Sequence, residues 1–182
     1  MSMVIRPLTA DDALALQKLR QAAHEDLTLG TPQEREHGLA MHRIQETLVK
    51  PFRTIGAWAG SSTLIGAATV SPVPKDPWDT DGDAWVGLSS VIVAPPYRGQ
   101  GVARGLVQAC IDDAADCGFV GMLLEVNELN PAARHLYDSF GFTVWSGPSL
   151  FYEVEGDPFY RVSMKKMLAT GPAANHPIDE GA

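Results

Sequence analysis

The run Arg98-Gly99-Gln100-Gly101-Val102-Ala103 combines residue types that can hold a phosphate. Gly99 and Gly101 carry no Cβ, so the backbone there can come close to a ligand. The apolar spacing that follows predicts a helix whose first amides lack intrahelical partners and whose dipole is positive at that end. Those groups would grip a phosphate or pyrophosphate. Spacing narrows the choice of module. A P-loop requires Lys directly after its last glycine, and none follows here. A dinucleotide fingerprint requires Gly-x-Gly-x-x-Gly, but Arg104 occupies the third glycine position and Gly105 comes one place late.

What remains, Arg98-x-x-Gly101-x-Ala103, resembles the Gln/Arg-x-x-Gly-x-Gly/Ala motif of the GCN5-related N-acetyltransferases, the GNAT superfamily. A second stretch, Leu123 to Phe142, resembles that superfamily's closing motif, in which an Asn-capped helix presents a tyrosine one turn before a Gly-Phe. Its text of Leu-Glu-Val, Asn, Ala, Leu-Tyr and Gly-Phe is most similar to RimI-type protein N-terminal acetyltransferases. The two motifs cover roughly residues 84 to 142. The resemblance implies an α/β (α+β) GNAT fold, with a mixed central sheet of about six to seven strands flanked by about four helices. It also implies acetyl-CoA as acyl donor, no metal, and direct transfer to an amine. The cofactor set it implies is Val91, Ile92, Val93, Arg98, Gly99, Gln100, Gly101, Val102, Ala103, Arg104 and Asn130. Tyr137 would be the general acid and Glu125 the proposed general base, unless a water chain takes that part.

The acceptor class matters to the chemistry, because an amine attacks a thioester only when neutral. Deprotonating a lysine-like amine of pKa ~10.4 at pH 7 costs about 4 to 5 kcal/mol, against about 1 to 1.5 kcal/mol for an α-amine near 8. An α-amine can therefore manage with a weak base or a water chain. A protein or peptide N-terminus and a small amine (polyamine, amino acid or aminoglycoside-like) both fit, and a non-catalytic acyl-CoA-binding or sensing domain is the alternative of a different class. The long Pro/Asp-rich insert before Asp83 departs from a minimal RimI layout.

These residues need elements to place them. Met3 to Pro7 reads as a strand. Thr9 and Asp12 cap a helix to about His24 with Leu16, Leu19 and Ala23 inward, and Thr31, Pro32 and Glu34 open a second helix facing inward through Met41, Ile44 and Leu48. The loop between these helices lines the acceptor site in GNAT enzymes, which draws attention to Glu25, Asp26 and Glu34. Arg53 to Ala59 and Thr63 to Val70 read as a hairpin. The segment from Pro72 to Asp83 is a loop whose Asp79, Asp81 and Asp83 fail the EF-hand pattern, since Ala84 and Ser90 stand where Gly and Glu are needed. Trp85 to Val93 feeds the phosphate turn. Val102, Leu106, Ala109, Cys110 and Ala114 give the next helix its inner face, and Gly118 ends it. Met122 to Val126 is a parallel strand, and Asn130-Pro131 opens a helix to Phe140. Thr143 to Trp145, Leu150 to Val154 and Phe159 to Met167 supply the closing strands.

The 182 residues suit one domain, 1–169, followed by a polar Pro/Gly-rich tail, 170–182, expected to be disordered. A net charge of −8 and a pI near 5.0 exclude the usual basic nucleic-acid surface and favour cationic partners. No apolar run approaches a membrane span and Met1 to Asp12 has no signal-peptide core, which places the chain in the cytoplasm without a membrane role. Cys110 and Cys117 read as buried reduced thiols, too far apart for a disulfide. The five histidines form no metal pair. The resemblance allows a homodimer.

Overall fold

The computed structural model describes residues 3–25, 40–49, 52–73, 84–154 and 157–169. Strand β1 (Met3–Pro7) leads through a 3-10 turn, Ala10–Asp12, into helix α1 (Ala13–Glu25). Asp12 closes the expected capping box, accepting from the Thr9 N–H at 2.9 Å. Helix α2 (Met41–Glu46) follows, and the expected start of that helix at Thr31 lies outside the described residues. Next come β2 (Arg53–Ala59), β3 (Thr63–Pro72), β4 (Trp85–Val93), α3 (Val102–Asp116), β5 (Gly121–Asn127), α4 (Pro131–Ser139), β6 (Thr143–Val154) and β7 (Asp157–Met167). The seven strands form one sheet in the order β1-β2-β3-β4-β5-β7-β6. Only β4 and β5 run parallel, joined by the α3 crossover; the other neighbours are antiparallel.

Apolar alternation along the strands gives the sheet two packed faces. On one, Ile65, Val86, Leu88, Met122 and Leu124 meet Leu106, Val107 and Cys110 of α3 and Tyr137 of α4. On the other, Trp58, Leu64 and Ala67 meet Leu16 and Leu19 of α1 and Ile44 of α2. A side chain such as Leu106, fully enclosed, would cost about 2 to 5 kcal/mol if truncated to alanine. Gly66 lets α3 sit down on β3: a Cβ there would come within 2.9 Å of Val102 Cγ1 and 3.0 Å of Leu106 Cδ1. Among the described residues no helix is long and apolar enough to cross a membrane.

Three expectations change. The segments Thr143 to Trp145 and Leu150 to Val154 are one strand, because register shifts between Val144 and Ser146, Ser146 and Ser149, and Leu150 and Tyr152 absorb Gly147-Pro148 without ending the pairing to β7. Of the two cysteines only Cys110 is buried; Cys117 lies just past the end of α3, exposed, with its Sγ accepting from Arg53 Nη1 at 2.8 Å. The inner face of α3 is broader than expected, taking in Val107 and Ile111, while Ala109 is only half-buried at its margin. The tail and the Pro74 to Asp83 loop lie outside the described residues, as do Asp26 and Glu34.

Candidate active site

Two irregularities open the sheet where chemistry is expected. The first is the end of parallel pairing: β4 and β5 are in register from Trp85↔Gly121 to Leu88↔Leu124 and no further, so the strands part beyond that point. The second is a bulge. Ala67 and Thr69 on β3 face Ile92 and Ser89 on β4, so three steps of β4 answer two of β3, and Ser90 takes φ 51°. An extra residue reverses the inside-outside phase of a strand. Val86 and Leu88 face α3 before the bulge; after it Val91 and Val93 do, while Ile92 turns towards α1. Ala94 N–H donates to Ile65 O of β3 at 2.9 Å. Alternate amides of a strand point the same way, so those of Val91 and Val93 point away from β3, into the wedge.

Pro95 and Pro96 do more than stop the strand. They build a 3-10 turn, Pro95–Tyr97, that lifts the chain into the glycine turn. Gly99 at φ 72° and Gly101 at φ 81° occupy the left-handed region, and a Cβ at either would meet no protein atom within 4 Å. Open space therefore lies in front of both. The first bond of α3 runs from Gly105 N–H to Gly101 O at 3.0 Å. The amides of α3 ahead of Gly105 have no intrahelical partner, as the start of a helix requires. Gln100 folds its side chain back, donating from Nε2 to Pro96 O at 2.9 Å, and does not line the cavity in front of the turn.

That cavity measures about 760 Å³. It is lined by Val91, Ile92, Val93, Arg98, Gly99, Gly101, Val102, Ala103, Arg104 and Asn130, and by Tyr137 at its α4 wall. Arg98 Nε donates to Val93 O at 3.2 Å, tying the turn to the strand. Arg104 Nη2 reaches Ser139 Oγ at 3.0 Å and its guanidinium lies 5.3 Å over the Phe140 ring, so it bridges α3 to α4. Asn130 caps α4, its Oδ1 accepting from Ala133 N–H at 3.0 Å. Tyr137 is 8% exposed, edge-on to Phe142 with ring centroids 5.9 Å apart. Burial, and then the Cys110 thiol beside it, pushes its phenol up to about 12, so it stays protonated across any working pH.

Glu125 stands apart from this lining. It is the first β5 residue past the last β4 pair, on the sheet face opposite Leu124 and Val126, and its Oε2 accepts from Arg161 Nη1 at 2.5 Å. Missed in the sequence were Ala23 of α1, Tyr97, and the α4 residues Ala132, Ala133, His135 and Leu136, all of which line the cavity. A signal existed for α4: Ala132 and Leu136, and Ala133 and Tyr137, are spaced i,i+4 and share a side of the helix. Small residues at the first two positions let a ligand approach it. Among the described residues the lining thus carries Arg98, Arg104 and His135, and no carboxylate, cysteine or serine.

Against known proteins, residues 16–142 match the model of the acetyltransferase (GNAT) family. N-acetyltransferase 8B of Rattus norvegicus is 26% identical over 141 residues, 74% of this chain and 62% of its own length. The L-amino acid N-acyltransferase MnaT of Escherichia coli is 42% identical over 55 residues, 30% of this chain and 32% of its own length. The chain therefore spans less than two thirds of these curated relatives. In fold, the ribosomal-protein-S18-alanine N-acetyltransferase from Escherichia coli superposes with a TM-score of 0.74 at 19% identity, covering 96% of this chain and 99% of that one. The yncA structure from Salmonella typhimurium, a putative acetyltransferase with its cofactor acetyl-CoA, gives 0.72 at 22% identity, covering 95% and 98%.

Proposed function

Since this chain belongs to the acetyltransferase (GNAT) family, we propose that it moves an acetyl group from acetyl-CoA to a primary amine by direct transfer. One observation carries the reading: in a chain of net charge −8, the described residues of the cavity lining pair the amides at the start of α3 with Arg98, Arg104 and His135 and include no carboxylate. Such a lining suits a polyanion and little else. The residues fit the diphosphate on three counts: positive-φ glycines with nothing in front of them, the positive end of α3, and cations at the rim. The splay of β4 from β5 leaves room for an extended acyl carrier alongside Val91 to Val93.

The chain's own groups then divide the work. The Val91 and Val93 amides meet the oxygen of the thioester as charge builds on it when the amine nitrogen adds to the carbonyl carbon. Tyr137, protonated by virtue of its burial, gives its proton to the sulfur as the C–S bond breaks. The proton lost by the amine leaves through water, with Glu125 at the mouth of the wedge as its receiver. With no cysteine or serine among the described residues of the lining, the acetyl group passes to the acceptor without a covalent stop on the protein. Two acceptor classes stand behind the reading: the relatives include an L-amino acid N-acyltransferase, and the fold is shared with an enzyme acting on a ribosomal-protein alanine. The reading further takes the protein to act in the cytoplasm, with a homodimer compatible.

Titration calorimetry with coenzyme A, beside a free-thiol assay over an amine panel, tests this. Wild type should bind coenzyme A, and Gly101→Asp should weaken binding at least about 100-fold, about 3 kcal/mol, by placing a carboxylate where the diphosphate sits. Indifference to coenzyme A would overturn the proposal. Binding without thiol release from any amine would leave a sensing domain in its place.

A further inference from the structure

Beyond the last β4–β5 pair, the strands β5, β7 and β6 present a second group of side chains to the sheet face that carries α1. Val126 and Val162 face α3 and α4, so their register neighbours Glu125 and Ser163, and Asn127 and Arg161, face the other way. On that side Arg161 Nη1 donates to Glu125 Oε2 at 2.5 Å, and the guanidinium lies 4.4 Å over the Phe151 ring of β6. Four residues along β7, Lys165 Nζ lies 3.5 Å over the Trp145 ring. Arg161 and Lys165 therefore share this side of the sheet with Glu125, in a chain of net charge −8.

The guanidinium also has donors to spare. Its Nε is buried and has no hydrogen-bond partner among the described residues, and Glu125 engages only one of its terminal nitrogens. A guanidinium holds a carboxylate best through two parallel N–H donors. The pair is one-third exposed, with relative accessibilities of 32% for Arg161 and 36% for Glu125, so a ligand can reach it. Ala23 of α1 lines the cofactor cavity from this same side of the sheet.

We propose that the Glu125–Arg161 pair at the mouth of the wedge selects a zwitterionic α-amino acid as acceptor, Arg161 holding its carboxylate while Glu125 holds its ammonium. An α-amino acid places a positive and a negative group one carbon apart, and the pair offers their complements side by side. An incoming carboxylate takes terminal N–H donors that Glu125 leaves free, the buried Nε staying out of reach, and the ammonium lies against Glu125 when its proton is shed. This inference rests on the acetyl-transfer reading above, and Arg161 acts in it as a specificity-determining residue. Lys165 adds to the positive field that draws the carboxylate in.

The test compares, for wild type and for Arg161→Gln and Arg161→Lys, the thiol released from acetyl-CoA with L-methionine, L-methionine methyl ester and 3-(methylthio)propylamine, each titrated to give KM and kcat separately. The panel is repeated with other side chains in the same acid, ester and amine series. Wild type should prefer the free acid at least tenfold in kcat/KM over the ester and the amine. Arg161→Gln should raise KM for the acid at least tenfold and erase that preference, and Arg161→Lys should restore part of it. A merely structural Arg161 would instead lower all three substrates together, with a fall in Tm. Equal turnover of acid, ester and amine by wild type would overturn the inference and leave acetyl transfer standing; no thiol release from any acceptor would overturn both.

Discussion

Tyr137 shows how one side chain acquires a chemical role from its surroundings. A phenol in water ionises near 10, and burial in the α4 wall pushes this one up to about 12 because the charged form loses its solvation. The raised value favours the protonated form, so the proton stays available from neutral pH to beyond 11, and the phenol suits the part of acid rather than base. Tyr137→Phe should lower kcat about 100-fold and leave coenzyme A affinity within twofold, since the ring and its edge contact to Phe142 survive. In wild type, kcat/KM for an α-amine should climb through the amine's own pKa, near 8, and hold its plateau above pH 10. A decline with an apparent pKa near 10 would show that the phenol ionises as it does in water, against the effect of burial. The place of Tyr137 on a capped helix was legible from the sequence, and its part as acid was implied by the resemblance to the superfamily's closing motif. Arg161 was not: it matters through Glu125, thirty-six positions away, and only the β5–β7 register joins them.

At the scale of elements, α4 is the piece whose start decides where Tyr137 points. Pro131 at the first helical position and Asn130 as cap fix that start, and the Asn130 Oδ1 to Ala133 N–H bond at 3.0 Å satisfies an amide that would otherwise be orphaned. Asn130→Ala should cost about 1 kcal/mol, a fall in Tm of roughly 2 to 4 °C for a domain of this size, whereas Asn130→Asp should retain most of it. Thermal unfolding followed by circular dichroism reads the difference, and equal melting of all three proteins would show the cap to be idle. Helices of this kind were legible because their caps and faces are local. The β4 bulge was less so. Its trace in the sequence is a break of phase, with Val86 and Leu88 on even positions and Val91 and Val93 on odd ones around Ser89-Ser90. The reversal becomes certain only when β3 is seen to pair on both sides of it. The single β6 strand is the converse case: Gly147-Pro148 looks like an end, and pairing to β7 carries the strand across it.

For the whole molecule, the two layers of core decide which groups solvent reaches. Cys110 is wholly enclosed between α3 and the sheet, and burial pushes its thiol up to about 12, while Cys117 sits in solvent beyond the helix. A thiol reagent in excess should label one equivalent quickly in the native protein and the second only on unfolding, with peptide mapping placing the fast label on Cys117; equal rates would mean that the α3 face opens freely. Local rules, written within a few neighbouring residues, were enough for the sequence to determine the strand-turn-helix around Gly101 and the capped helix bearing Tyr137, while the single mixed sheet was implied by the resemblance to the superfamily. Tertiary structure decided the wedge between β4 and β5, the phase of Val91 to Val93, and the joining of Glu125 to Arg161 across β5 and β7. Those features depend on register between segments far apart in the chain, and register is set by the packing of the whole sheet against its helices, which no short stretch of residues contains.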